Sequence, residues 1–263
     1  MINIYIPSKG RVDNKITNKF FNCLLQLKKY NPIIVVEPKE YETYKNKWQK
    51  FEYLILDKDN MGVSYAQNAI YMEGLGEDLF FIIDDDIENL YVILDKKQKT
   101  LGLDKLEEVL DSMSNVNVPL LGLSFKQIQI FAKKEYENTG RIVAFLCVKP
   151  NLFRNKIEKL KKMIAEYDVV KYRLYFDVIF AISFYCLNIE RGLFYKYAFG
   201  TPKMSSNLGG CFNDYKTEQV KCANEAVRLI NSKFCKLCSN HGRIEIKVQW
   251  KKLAYSNLNE SLF

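Results

Sequence analysis

Apolar residues in the first hundred positions form short runs separated by amphipathic stretches. Ile2 to Ile6 reads as a β-strand, Ile16, Phe20, Leu24 and Leu27 recur at helical spacing, and Ile33 to Val36 reads as a second strand. Tyr53 to Leu56 is a third strand, Val63 to Met72 a helix, and Leu79 to Ile83 a fourth strand. Strands alternating with helices imply a parallel sheet carrying helices on its faces. The predicted class is therefore α/β, with a mostly parallel central sheet in a Rossmann-like arrangement.

The second half is less regular. Leu120 to Phe125, Ile128 to Ala132 and Ile142 to Val148 suit added strands, and Leu152 to Tyr167 suits a helix. Val178 to Ile189 fits strand or helix by composition; its length and the following Arg191-Gly192 favour helix. Ala223, Ala226, Val227, Ile230 and Phe234 share a helical face, and Ile244, Ile246, Val248 and Trp250 alternate with polar residues as in a half-buried strand. No repeat or linker interrupts the chain, which predicts one domain over residues 1–263.

Composition narrows the classes. The chain is 48% hydrophobic and 27% charged, which excludes a disordered or fibrous protein. No apolar run approaches the roughly 18 residues that cross a bilayer, and the N-terminus lacks the plan of a signal peptide, so a cytoplasmic protein with no membrane partner is expected. The seven cysteines suit reduced core thiols better than a disulfide framework. A formal charge of +8 favours an anionic partner, and a nucleotide diphosphate and a nucleic acid both fit it.

Open α/β sheets bind ligands beyond the carboxyl ends of their strands, and the polar motifs fall there. Phe80-Phe81-Ile82-Ile83 runs directly into Asp84-Asp85-Asp86. Three adjacent charges must reach solvent, and in extended chain Asp84 and Asp86 project to one side while Asp85 points elsewhere. Paired hard oxygen ligands suit Mg²⁺ or Mn²⁺, whose shells substrate phosphates commonly complete. Pro7-Ser8-Lys9-Gly10-Arg11 places a hydroxyl, two cations and a permissive glycine after the first strand. Asn60-Met61-Gly62-Val63-Ser64 enters a helix whose early turns carry Gln67 and Asn68, a setting that attracts anions.

The segments IPSKGR, NMGVSYAQN and FFIIDDDI together resemble GT-A glycosyltransferases, and within that fold the TET-associated DNA glycosyltransferases, relatives of the base J glucosyltransferase found in many phages. The resemblance is good through about residue 90 and patchier beyond. It implies a GT-A domain whose residues 1–95 bind a nucleotide sugar, a UDP-sugar above all, and whose residues 96–263 bind the acceptor. Pro7, Ser8, Lys9, Gly10, Arg11, Asn60, Gly62, Ser64, Gln67, Asn68, Asp84 and Asp85 would contact the donor, and Asp84 and Asp86 the metal. The implied reaction transfers a sugar to the hydroxyl of a 5-hydroxymethylpyrimidine in DNA, in a host cytoplasm if the gene is phage-borne.

The resemblance also implies a general base at the start of a late helix, the place of Asp177, although Phe176 stands where an acidic pair is common. Tyr172, Tyr175, Phe176, Tyr195 and Tyr197 fit either base stacking or the core. Ser205 to Cys211 fits either a closing loop or a plain turn. The single histidine, His241, is either a third ligand of the catalytic metal or, with Cys222, Cys235 and Cys238, part of a zinc knuckle. Other readings are a glycan or lipid-linked acceptor, a nucleotidyltransferase, and a non-catalytic nucleic-acid-binding domain.

Overall fold

The computed structural model describes residues 1–94, 97–129, 134–202, 218–230, 234–240 and 243–254. The predicted beginning is present: β1 (Ile2–Pro7), α1 (Lys15–Leu24), β2 (Tyr30–Val36), then α2 (Pro38–Lys47), β3 (Glu52–Ile55), α3 (Val63–Gly74) and β4 (Phe80–Ile83). Asn14 caps α1, its side chain accepting from the Ile16 and Thr17 amides. Helix α2 escapes the apolar pattern because Tyr44 is its one buried residue; Pro38 in its first turn and Lys45 and Lys47 in its last mark it instead.

Beyond β4 follow a hairpin, β5 (Asn89–Leu94) and β6 (Lys97–Leu101), then α4 (Leu106–Asn115), β7 (Leu120–Phe125), a helical turn α5 (Lys126–Gln129), β8 (Tyr136–Glu137) and β9 (Phe145–Val148). Helices α6 (Ile157–Ala165) and α7 (Phe176–Cys186) precede the long strand β10 (Arg191–Gly200). The chain continues through α8 (Gln219–Leu229), a two-stranded sheet of β11 (Cys235–Asn240) and β12 (Arg243–Val248), and α9 (Trp250–Ala254).

The main sheet has the order β3-β2-β1-β4-β9-β7-β10-β5-β6, with β8 beside β10. Seven of its ten strands run one way, and β9, β5 and β8 run against them. The fold is thus α/β with a mixed, mostly parallel sheet flanked by helices, as predicted. Strand alternation divides two cores. Tyr5, Ile33, Val35, Phe80 and Ile82 face one, shared with α3, α6, α7 and α8, while Ile4, Ile6, Ile34, Phe81 and Ile83 face the other, shared with α1 and α4. Among the described residues no helix is long and apolar enough to cross a membrane.

Several predicted elements change. Residues 128–129 of the proposed Ile128–Ala132 strand belong to the helical turn α5, and 130–132 lie outside the described residues. Gln129 there donates to the carbonyls of Tyr195 at 2.8 Å and Lys196 at 3.2 Å, where β10 bulges against β7. The helix predicted from Leu152 begins only at Ile157, after two 3₁₀ turns opened by Pro150. Trp250 starts α9 instead of ending a strand. Arg191-Gly192 opens β10 instead of closing a helix; α7 has already ended at Cys186.

Candidate functional site

The polar motifs gather at the carboxyl edge of β1, β2, β3 and β4. The Asp84 amide donates to the Ala144 carbonyl at 2.7 Å, tying the end of β4 to the loop before β9. The chain then turns at Asp85 and Asp86, so β4 ends at Ile83 and the alternation expected through Asp86 does not extend over the motif. Asp85 is 1% exposed and points inward, accepting from Ser8 Oγ and Arg11 Nη1. Ser8 Oγ shares a further hydrogen bond with the Tyr44 hydroxyl at 2.8 Å, which also accepts from the Arg11 amide at 3.1 Å. Helix α2, unmarked by apolar periodicity, thereby supplies the post that positions the loop after β1.

Arg11 Nη1 also reaches Asp86 Oδ2 at 3.1 Å. Burial, reinforced by Asp86 and then Asp85, holds the Asp84 carboxyl well above the usual carboxylate range, with Arg11 opposing the shift. Burial likewise pushes Asp85 up to about 6, again against the pull of Arg11. Three carboxylates therefore share one nearby guanidinium, a surplus of negative charge that a hard divalent cation would relieve. Asp84 and Asp86, both half-buried, have the donor chemistry for it. Among the described residues no group of three or more His, Cys, Asp or Glu side chains converges, so a bound ion would need oxygens from substrate or water.

The rest of the predicted donor loop is closely knit. Lys9 Nζ meets Glu37 Oε1 at 2.6 Å and Asn60 Oδ1 at 3.3 Å, and Lys39 Nζ meets the same two side chains at 3.1 and 2.8 Å. The Gly10 amide donates to Glu40 Oε1 at 2.9 Å, and half-buried Pro7 ends β1. Gly62, at φ +87°, precedes α3 without a side-chain cap, a backbone setting that favours glycine. The Ser64 amide is taken by the Arg173 carbonyl at 3.0 Å, while Ser64 Oγ and Gln67 Oε1 are buried with no partner among the described residues. Asn68, one residue on, is half-buried.

Asp177 lies in the first turn of α7, and it alone of that helix's residues escapes full burial. Arg141 Nη2 meets its Oδ2 at 3.1 Å. Its charge bears on Asp84, so the late-helix acid and the acidic motif share one electrostatic environment. The ring of Tyr71, fully buried and stacked 3.5 Å from Phe180, lies within reach of both acids, which with burial raise its hydroxyl well above its usual range.

Two of the open alternatives narrow. Tyr175, Phe176, Tyr195 and Tyr197 are 5%, 0%, 8% and 4% exposed and belong to the cores, leaving only Tyr172 partly at the surface. Among the described residues the cysteines of the zinc-knuckle alternative do not converge: Cys222 and Cys235 are buried, and Cys235 and Cys238, three apart in β11, fall on opposite faces of the strand. Burial pushes the Cys235 thiol up to about 12. His241 and Ser205 to Cys211 lie outside the described residues.

Sequence reasoning missed Tyr44, Glu37, Arg141 and Arg173. Arg173 packs against Gly62 and could have been sought only through the demand of that glycine for a close neighbour.

No curated protein matches the chain. Solved structures resemble it distantly. A mannose-1-phosphate geranyltransferase from Thermus thermophilus is 8% identical, over 76% of this chain and 74% of that one, at a TM-score of 0.44. A UDP-glucose pyrophosphorylase complexed with UDP-glucose is 10% identical, over 76% and 92%, at 0.45. The 4-diphosphocytidyl-2C-methyl-D-erythritolsynthase of Anaerococcus prevotii is 11% identical, over 87% and 96%, at 0.43. Residues 2–171, which hold β1 to β4, the acidic motif and Arg141, match the TET-Associated Glycosyltransferase family, and the chain belongs to that family of glycosyltransferases.

Proposed function

We propose that this enzyme moves a sugar from a nucleotide sugar, specifically a UDP-sugar, onto the hydroxymethyl oxygen of 5-hydroxymethylcytosine or 5-hydroxymethyluracil in DNA. The observation that carries this reading is the shared environment of Asp84, Asp86 and Asp177 at the carboxyl edge of the sheet, in a chain of this family. A GT-A division of labour follows, with residues 1–95 holding the donor and 96–263 the acceptor.

In this reading the loop after β1 and the turn before α3 receive the donor. Ser8, Lys9, Gly10 and Arg11 on one side and Asn60, Gly62, Ser64, Gln67 and Asn68 on the other surround its nucleotide and phosphates. Asp85 contributes by fixing the Ser8 hydroxyl and the Arg11 guanidinium. Asp84 and Asp86 would hold Mn²⁺ or Mg²⁺, which when bound supplies positive charge to the departing nucleotide diphosphate. Asp177 accepts the proton of the acceptor hydroxyl, and Arg141 keeps its carboxylate oriented until acceptor arrives.

The test is mass spectrometry of nucleosides after incubating hydroxymethylated and unmodified DNA with a panel of nucleotide sugars and Mn²⁺. A hexose or pentose mass gain confined to the hydroxymethylpyrimidine is expected. Donor hydrolysis with no gain on any DNA would move the acceptor to a glycan.

A further inference from the structure

Arg191, the first residue of β10, is 0% exposed. Its guanidinium lies between two aromatic rings, 4.9 Å from the centroid of Tyr185 and 4.8 Å from that of Trp250, and donates to the Gly140 carbonyl through Nη2. Its Nε and Nη1 have no hydrogen-bond partner among the described residues. The ionisable groups that bear on it are Tyr185, Tyr136 and Tyr195, with no carboxylate among them. Burial pulls it down only to about 10, so it is a cation at neutral pH. A desolvated guanidinium needs hydrogen-bonded partners for its charge, and two ring faces and one carbonyl answer only part of it. The fold thus keeps a positive charge that its neighbours compensate only in part.

That charge lies directly behind a cavity. Gly140 and Trp250, its two neighbours, are also walls of a space of about 450 Å³ completed by Thr139, Val248, Gln249, Lys251 and Lys252. Among the described residues no acid lines it, both lysines are exposed, and the hydroxyl and amide are hydrogen-bond donors. The segment that forms one wall continues into Arg141, which holds Asp177. A strand lying in the cavity would therefore run past the proposed acceptor position.

We propose that this cavity binds a backbone phosphate of the acceptor DNA, with Lys251 and Lys252 meeting the phosphate and Arg191 supplying positive potential from behind Gly140 and Trp250. The proposal rests on the reading of DNA as acceptor. It assigns to the carboxyl-terminal segment, outside the matched residues 2–171, the task of gripping the strand near its modified base.

The experiment is fluorescence anisotropy of labelled duplexes, with and without 5-hydroxymethylcytosine, titrated with the full-length protein over a range of KCl concentrations. The variants are Lys251→Gln and Lys251→Gln/Lys252→Gln, with thermal melting confirming their fold. Loss of the one phosphate contact in the double variant should reduce the slope of log K against log salt by about 0.9, and the single variant by less than that, equally on both duplexes. An unchanged slope in the double variant would overturn the cavity assignment while leaving DNA as the acceptor. A loss confined to the modified duplex would also overturn it, because a backbone contact does not read the base. If the wild-type protein shows no salt-dependent affinity for either duplex, the DNA reading falls together with the cavity.

Discussion

Arg173 lies so close to Gly62 that a Cβ on the glycine would stand 2.7 Å from the Arg173 Cβ and 3.0 Å from its Nε. The glycine also sits at φ +87°, where an L side chain is strained. A segment just before α7 is thereby pressed onto the entrance of α3, the place proposed for the donor.

Gly62→Ala is expected to lose about 1–3 kcal/mol of stability from backbone strain, with the clash added to it. It should also raise KM for the nucleotide sugar, because Arg173 can no longer rest on the turn. Urea denaturation and donor-saturation kinetics measure the two effects, and unchanged values in both would remove the proposed link between the turn and the donor.

The acidic motif makes a prediction about pH. Asp84 and Asp85 have folded-state pKa values above their unfolded ones. Such groups favour the folded state fully below about pH 4, and that contribution fades as pH rises through the folded value, about 6 for Asp85. Asp84→Asn should therefore gain stability relative to wild type at pH 7.5 and lose that advantage near pH 4, while abolishing metal-dependent transfer. Mn²⁺ should raise the melting temperature of wild type at pH 7.5 and leave that of the variant unmoved. Equal stabilisation of both proteins by Mn²⁺ would place the ion elsewhere.

Asp177→Asn keeps the size of the side chain and its contact with Arg141 but cannot take a proton. Its kcat should fall by about 10²–10⁴ while the donor KM stays near wild type. Arg141→Ala should cost less, because the carboxylate loses the partner that orients it but stays in place. Full activity in Asp177→Asn would assign the base to another group.

Lys149 is 5% exposed, and its ammonium donates to the carbonyls of Met113 at 3.0 Å and Ser114 at 2.7 Å, and to that of Val116. It closes the carboxyl end of α4, whose last carbonyls have no helical partner. Lys149→Met should cost about 2–4 kcal/mol, since each buried carbonyl left unmet costs about 1–3 kcal/mol. Urea denaturation would reveal the loss, with transfer activity per folded molecule retained.

The amino-terminal architecture was legible in the sequence because β1 to β4 and α1 and α3 carry their periodicity locally, and because an apolar strand cannot continue through Asp84-Asp85-Asp86. Their assembly at one sheet edge follows from parallel pairing, which brings the loops after β1, β3 and β4 to the same side. The tertiary structure alone decided the rest. Strand β10 is buried on both faces except at Lys196, so it shows no alternation to read, and its neighbours β7 and β5 are distant in sequence. The inward turn of Asp85 depends on Ser8, Arg11 and Tyr44 from three other segments, and the burial of Tyr195 and Tyr197 depends on which sheet faces are covered. Local patterns carry the period of an element, whereas the partner of a charge or an aromatic ring is set by long-range packing that no single segment encodes.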